Sequence, residues 1–109
     1  FQALQHRAVD LYIQQELSGA VLSDVLATLD EEPDDNTRSA AASRAKARCT
    51  DAALLITRQS IQMHGAIGFT EDCDVGLYVK RAMTLAAWLG NGHAHKRRYA
   101  RTEILEGAQ

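Results

Sequence analysis

A single proline, Pro33, separates two long proline-free stretches of this 109-residue chain. Proline removes a backbone donor and clashes with the preceding helical turn, so helices end at or before it. The acidic segment "DEEPDD", residues 30–35, surrounds Pro33 and is typical of a solvated loop. Strand-like alternation of apolar and polar residues is hard to find on either side. The sequence therefore favours long helices joined by a turn at Pro33.

In residues 1–29, a mostly apolar set of residues recurs at spacings of three and four, which is the pattern of one face of a helix. The stripe comprises Leu4, Ala8, Leu11, Gln15, Ser18, Leu22, Val25 and Leu29, and two of its members are polar. These interruptions predict a face that meets a second partner as well as the core. If Leu22 or Leu55 is fully buried, its replacement by alanine should cost about 2–5 kcal/mol.

The second predicted helix runs to about residue 63 and is rich in alanine, the strongest helix former. Asn36 or Thr37 is expected to cap its start. Gly65 is expected to stop it, because glycine readily takes the left-handed conformation at a helix end. An alanine-rich face lets neighbouring helices approach closely.

Two shorter helices follow, over residues 75–89 after a cap at Asp74 and over residues 93–105 after the interruption "GNG". Short loops between long helices predict antiparallel neighbours. The expected fold class is all-α, an antiparallel four-helix bundle, and residues 1–109 are enough for one domain.

Charge and cysteine content exclude several classes of protein. The 12 basic and 14 acidic residues give a net charge of -2, which predicts binding neither to nucleic acid nor to a membrane surface. No apolar run approaches the roughly 20 residues that span a bilayer. Cys49 and Cys73 lie far apart without metal-ligand spacing, which favours a reducing compartment, the cytoplasm, over a disulfide scaffold.

Gly65 and Gly68 lie three residues apart in "IQMHGAIGFT", residues 61–70. Phosphate-binding loops normally follow a strand and precede a helix, so that amide N–H groups and the helix dipole face the anion. This segment follows a helix instead. The residues alone favour a helix stop, with a phosphate site as the alternative.

The only basic run is "HKRRYAR", residues 95–101. A solvated or subunit-pairing face is favoured over nucleic-acid contact, because the rest of the chain is acidic. His93 and His95 are two residues apart on a helix and point in different directions, so no shared metal site is predicted.

Three segments together resemble the C-terminal helical domain of the acyl-CoA dehydrogenases. "FQALQHRAVDLY" is similar to the start of the family's long first helix, and "IQMHGAIGFT" to its Q-x-x-G-G-x-G-F/Y turn. "LYVKRA" resembles the short helix that leads to the family's active-site strip. The likeness covers nearly the whole chain, and the family's N-terminal helical and middle β domains are expected upstream of Phe1.

The resemblance implies contacts with FAD, whose ADP part is bound mainly by a neighbouring subunit. Gln62 and Gly65 match the family's contacts in the turn, and Ala66 stands where the family usually has a second glycine. Gln2 matches the glutamine that reaches the flavin nucleotide from the long helix. The resemblance therefore implies four cofactor-contacting positions, namely Gln2, Gln62, Gly65 and Ala66.

A departure from the family pattern lies in "WLGNGHAHKRR", where Gly90 occupies the place of a catalytic glutamate. Glycine cannot accept a proton, so we expect no catalytic base in this chain. Either the base lies upstream, or the chain resembles a supporting subunit of a heteromeric dehydrogenase. The segment is similar to bacterial paralogues that act on steroid or other unusual acyl-CoA substrates.

The resemblance implies FAD-dependent α,β-desaturation of an acyl-CoA thioester, with electrons passing to an electron-transfer flavoprotein. The helical domain is expected to form the core of a dimer or tetramer. Trp88 and Leu89 are expected to pack within the bundle, with the wall of the acyl pocket as the alternative. The other functions considered are a non-catalytic partner subunit and an unrelated helical interaction module.

Overall fold

The computed structural model describes residues 2–66 and 74–107. These residues form four helices, with no strand among them: α1 (Gln2–Asp30), α2 (Asp35–Ala66), α3 (Val75–Ala87) and α4 (Gly92–Gly107). The prediction of an all-α domain built from four helices is confirmed. Within the two described ranges, no helix combines the length and the hydropathy needed to cross a bilayer.

α2 is the central helix, and α1 runs antiparallel along one side of it. Arg44 of α2 forms an ion pair with Asp24 at 2.5 Å. One turn further along α2, Arg48 donates a hydrogen bond to the side-chain oxygen of Gln14 at 2.6 Å. The later residue of α2 contacts the earlier residue of α1, so the two helices run in opposite directions.

α3 and α4 follow one another along the rest of α2, and both run antiparallel to it. In α3, Met83 lies beside Arg58 and Leu54, and Lys46 donates to the carbonyl of Leu85 further along the helix. α4 continues past the N-terminal half of α2, where His95 contacts Ser43 and Arg98 donates to the carbonyl of Ser39. The interruption between α3 and α4 therefore does not reverse the chain.

Alanine makes up most of the described apolar core. Val25 is the one large apolar side chain that is buried in the described residues, and it is accompanied by Ala40, Ala41, Ala47, Ala52 and Ala82. Small side chains allow the other helices to approach α2 closely, as the alanine-rich sequence predicts. The same small side chains remove little apolar surface from water, so the hydrophobic stabilisation of this chain by itself is modest.

Two predicted helix ends are wrong, and both errors concern local capping. α2 begins at Asp35, and the carboxylate of Asp34 accepts a hydrogen bond from the N–H of Thr37 at 2.8 Å. Asp34, rather than Asn36 or Thr37, is therefore the cap. At the other end, α2 continues through Gly65 to Ala66, so Gly65 does not stop it.

Asp74 occupies the predicted capping position before α3, but its side chain makes no capping hydrogen bond. Its carbonyl instead accepts from the N–H groups of Leu77 and Tyr78. α3 ends at Ala87 and α4 begins at Gly92, within two residues of the predicted bounds. Gly68 and Cys73 lie outside the described residues.

Leu22 and Leu55 are not core residues, since 44% and 41% of their surfaces are exposed. Ala8 and Gln15 of the predicted stripe are exposed as well. For the residues of α1 the reason is that this helix contacts mainly one other helix, α2, so a single narrow strip of α1 is covered. Because neither Leu22 nor Leu55 is fully buried, the loss of about 2–5 kcal/mol on replacement by alanine is not expected in this chain.

We expect Asp34→Ala to lower the thermal midpoint of the protein, because it removes the cap of α2. The N–H of Thr37, followed by the Thr37 hydroxyl and the charge of Arg38, holds the pKa of Asp34 below its usual value. A folded-state pKa below the unfolded value stabilises the fold at pH values above the unfolded pKa of about 3.9. This stabilisation is lost as the pH falls through the folded-state pKa. Thermal unfolding followed by circular dichroism at pH 7 and between pH 4 and pH 2 measures both effects.

Asp34→Asn is the matched control, because asparagine caps a helix as well as aspartate does but does not titrate. It should stay close to wild type at pH 7 and should lack the part of the acid destabilisation that comes from Asp34. Equal midpoints for wild type and Asp34→Ala at pH 7 would contradict the assignment of the cap.

Candidate functional site

The four predicted cofactor-contacting positions lie at one end of the α1–α2 pair. Gln2 is the first residue of α1, and Gln62, Gly65 and Ala66 belong to the last turns of α2. The last turns of α2 face Ala8, Leu11 and Tyr12 across a groove, and Gln2 lies further along α1 toward its first residue. Gln2, Gln62 and Gly65 are all exposed, so this end is open to a ligand or a neighbouring chain.

Among the described residues, the side chains of Gln2 and Gln62 make no hydrogen bond. Between the helices lies a groove of about 280 Å³, lined by Leu11 and Tyr12 of α1 and by Ser60 and Met63 of α2. The ring of His64 also lines this groove, and its Nδ1 donates to the carbonyl of Ser60 at 2.8 Å. Because a carbonyl only accepts, this bond assigns a proton to Nδ1.

Gly65 has no structural reason to be glycine in the described part of the chain. It lies within α2, its φ is not left-handed, and an added Cβ would meet no atom within 4 Å. Glycine inside a helix costs about 0.8–1 kcal/mol relative to alanine, less near a fraying end. Gly19 and Gly76 share this property, so the described residues give none of these three glycines a packing reason.

The junction between α3 and α4, residues 88–91, has an unusual backbone. Leu89 has a φ of 58° and Gly90 a φ of 95°, so two consecutive residues are left-handed. Left-handed φ is uncommon for a residue with a side chain and is strained for a bulky one. A Cβ added at Gly90 would lie 3.1 Å from Nε2 of His95. Position 90, where the sequence resemblance predicts the loss of a glutamate, therefore favours glycine on two counts.

His95 ties this junction to α2. Its Nε2 lies 2.8 Å from the carbonyl of Leu89, and its Nδ1 lies 3.0 Å from the hydroxyl oxygen of Ser43, which is fully buried. Since the carbonyl accepts, Nε2 carries a proton, and in the neutral ring Nδ1 accepts from the Ser43 hydroxyl. Both ring nitrogens are therefore used to fix the position of the junction.

Lys46 holds the end of α3 in the same way. Its ammonium donates to the carbonyl of Leu85 at 2.7 Å and lies 3.4 Å from the carbonyl of Ala86. The last carbonyls of a helix lack partners within the helix and carry partial negative charge, so a cation there is stabilising. On the far side of the junction, the side-chain oxygen of Asn91 accepts from the N–H of Ala94 and caps α4.

Trp88 and Leu89 do not pack in the bundle, contrary to the prediction, since 63% and 71% of their surfaces are exposed. They border an apolar groove of about 380 Å³ between α2 and α3, together with Leu85, Cys49 and Ala53. α3 ends at Ala87 because the backbone of Trp88 is extended, with a ψ of 134°, so neither Trp88 nor Leu89 continues the helix.

Sequence reasoning missed Ser43, Lys46 and His95. Ser43 looked like one polar residue in an alanine-rich helix, and His95 was assigned to the basic run "HKRRYAR". That run is largely used within the fold, since Lys96 pairs with Asp51 at 2.6 Å and Arg98 contacts α2. In the described ranges, no cluster of three or more His, Cys, Asp and Glu residues is arranged to hold a metal ion.

Much apolar surface remains uncovered. A compact protein of 12.0 kDa exposes about 6,000 Å², whereas this chain exposes 7871 Å². On α1, the exposed side chains of Val9, Ile13 and Leu17 follow one another at four-residue intervals. We call this row the outer face of α1. A helix that is apolar on more than its core side is normally covered by another element.

Comparison with known proteins gives two kinds of match. The family model described as acyl-CoA dehydrogenase, C-terminal domain, matches residues 1–104. Acyl-CoA dehydrogenase IpdE2 of Mycolicibacterium smegmatis is 36% identical over 98 residues, which are 90% of this chain and 29% of that protein.

Acyl-CoA dehydrogenase IpdE2 of Mycobacterium tuberculosis is 37% identical over 82 residues, which are 75% of this chain and 23% of that protein. The chain thus spans less than a third of the length of these curated relatives. No solved structure matches it significantly.

Proposed function

Since the chain belongs to the acyl-CoA dehydrogenase family, we propose that it is the C-terminal helical domain of an FAD-dependent enzyme that desaturates an acyl-CoA thioester. The observation that carries this proposal is the family match over residues 1–104. At the end of α2, Gln62 and Gly65 are both exposed, and a Cβ added at Gly65 would meet no atom within 4 Å. In this proposal Gln2, Gln62, Gly65 and Ala66 contact the nucleotide part of FAD held mainly by a neighbouring subunit.

The electrostatics of α2 limit how these contacts form. The C-terminal end of a helix presents carbonyl oxygens with partial negative charge, which repel phosphate oxygens. Phosphate contacts therefore require N–H donors such as the amides of Gln62 and Gln2. The terminal carbonyls suit groups that donate, such as ribose hydroxyls. Gly65 keeps this end of α2 free of a side chain that would hold the nucleotide away.

FAD, when bound, supplies the hydride acceptor for the β-carbon of the thioester. This chain supplies no base for the α-proton in the proposal, because Gly90 occupies the place of the family's glutamate. The left-handed φ of Gly90 disfavours any side chain there, and an added Cβ would lie 3.1 Å from the ring of His95. The base is proposed to lie upstream in the same polypeptide.

The second candidate function is that of a non-catalytic subunit in a heteromeric acyl-CoA dehydrogenase. The turn at Gly90 favours this function. His95 of α4 holds the turn, and Ser43 of α2 holds the ring of His95, so the difference from the family involves the whole turn and not only the missing glutamate side chain. Under either function the helices form the core of a dimer or tetramer in the cytoplasm, and electrons pass to an electron-transfer flavoprotein. Family membership removes the alternative of an unrelated helical module.

We expect the full-length protein, produced alone and together with its natural partner chain if it has one, to retain flavin after purification. Absorbance in the flavin bands, with FAD identified after denaturation, measures retention. Turnover of the protein made alone supports the first function, and turnover that requires the partner supports the second. Absence of flavin from both preparations would contradict both.

A further inference from the structure

We infer that Ser43, Lys46 and His95 form a clamp on the α3–α4 junction and that His95 is a positioning residue for Trp88 and Leu89. We call these three residues the junction clamp. The inference rests on the proposed function in one respect, namely that Trp88 and Leu89 face the acyl group of the thioester. The structural part of the inference stands on hydrogen bonds and backbone angles alone.

The junction clamp acts from two helices on three carbonyl groups. Ser43 and Lys46 are three residues apart and so lie on one face of α2. Lys46 binds the carbonyls of Leu85 and Ala86, while Ser43 acts on Leu89 through the ring of His95. The end of α3 and the first left-handed residue are therefore both held by side chains from outside the junction.

The clamp explains why Leu89 keeps a left-handed backbone. Such a conformation persists in a bulky residue only where the surrounding structure determines it. The carbonyl of Leu89 accepts from His95 at 2.8 Å, and the ring is fixed at its other nitrogen by a fully buried hydroxyl. Because Gly90 lies next to the same ring, a side chain at position 90 would push the ring away from the carbonyl.

The junction clamp leaves two large apolar side chains, those of Trp88 and Leu89, exposed. If α3 continued, Leu89 would lie three residues after Ala86 and seven after the buried Ala82, on the face that packs against α2. The extended backbone of Trp88 and the turn after it take both residues out of the helix, and both stay largely exposed at the edge of the groove between α2 and α3. The junction clamp thus leaves two large apolar side chains in solvent, which weakens the isolated fold and suits a site that binds an apolar ligand group.

The test uses the full-length protein with its natural partner chain if it has one, labelled with 5-fluorotryptophan. The fluorine signal of Trp88 is assigned by its loss in Trp88→Phe. His95→Leu, which removes both ring hydrogen bonds, should shift or broaden the Trp88 signal. His95→Gln keeps a donor that reaches the Leu89 carbonyl and should restore most of the wild-type signal. His93→Leu, at an exposed position two residues away, is the matched control and should leave the signal unchanged.

A purely structural role for His95 would lower stability without moving the Trp88 signal in the folded state. A Trp88 signal in His95→Leu identical to wild type, in protein whose circular dichroism shows a native fold, would overturn the clamp. This readout requires neither flavin nor turnover, so it separates failure of the clamp from failure of the proposed function.

The acyl-facing part of the inference is tested by adding butanoyl-CoA and octanoyl-CoA as probes. We expect octanoyl-CoA to move the Trp88 signal of the wild type more than butanoyl-CoA does, and this difference to be lost in His95→Leu and kept in His95→Gln. A Trp88 signal that responds to neither probe, in protein that retains flavin, would overturn the assignment of Trp88 and Leu89 to the acyl group.

Discussion

Replacing Ile13 with glutamate should convert the proposed oligomer into smaller species. Ile13 lies at the centre of the outer face of α1, between Val9 and Leu17, and all three side chains are exposed in the single chain. A standard interface covers about 800 Å² on each partner and has an apolar centre, which a row of such side chains can supply.

The effect should be large because an interface made of apolar side chains cannot solvate a carboxylate. An unpaired buried charge costs several kcal/mol, and the cost recurs in every protomer that contributes the same face. At 1.4 kcal/mol for each tenfold change in the dissociation constant, a few kcal/mol shifts assembly by two or more orders of magnitude. Analytical ultracentrifugation of the full-length protein across a range of concentrations measures this shift.

Two controls separate an interface effect from a folding effect. Ile13→Leu keeps the apolar character and should assemble like wild type. Ala100→Glu adds the same charge at an exposed position of α4 and should also leave assembly unchanged. If Ile13→Glu sediments like wild type, the outer face of α1 is not an assembly surface.

Gly65→Ala should separate the stability of the fold from its ability to hold flavin. Alanine in place of a helical glycine should stabilise the flavin-free protein by up to about 1 kcal/mol, because Gly65 lies within α2 and an added Cβ meets open space. The same methyl group lies where the nucleotide is proposed to approach. We therefore expect weaker retention of FAD, by about tenfold or more, which corresponds to about 1.4 kcal/mol.

Gly76→Ala is the matched control, since Gly76 is also helical and an added Cβ there also meets open space. It should not change flavin retention. Thermal unfolding of the flavin-free protein and titration with FAD followed by flavin fluorescence measure the two quantities. Equal FAD affinity in wild type and Gly65→Ala would remove the main support for a nucleotide contact at the end of α2.

The four helices could be predicted because their signals are local. Apolar spacing, a high alanine content and the single proline each act within one or two turns, and they place the elements within a few residues of their observed bounds. The errors at Asp34 and Gly65 arise where two local signals compete. Asp34, Asn36 and Thr37 are all good caps, and a glycine near a helix end resembles a stop signal whether or not the helix ends there.

The burial of particular side chains could not be predicted in the same way. Leu22 and Val25 belong to the same predicted stripe, yet Val25 is buried and Leu22 is not. The difference depends on the angle at which α1 meets α2 and on α1 having only one main neighbour in this chain. A periodic pattern identifies a face of a helix, but it does not state how wide a strip of that face is covered.

The sequence by itself determined that this protein is helical, where its helices lie, and which family it resembles, because helix propensity and motif spacing are properties of neighbouring residues. Only the tertiary structure decided that Gly65 lies inside a helix and that Trp88 and Leu89 face outward. It also joined Ser43 to His95, 52 positions away. That contact depends on the register of α4 against α2, which is set when many side chains pack together at once.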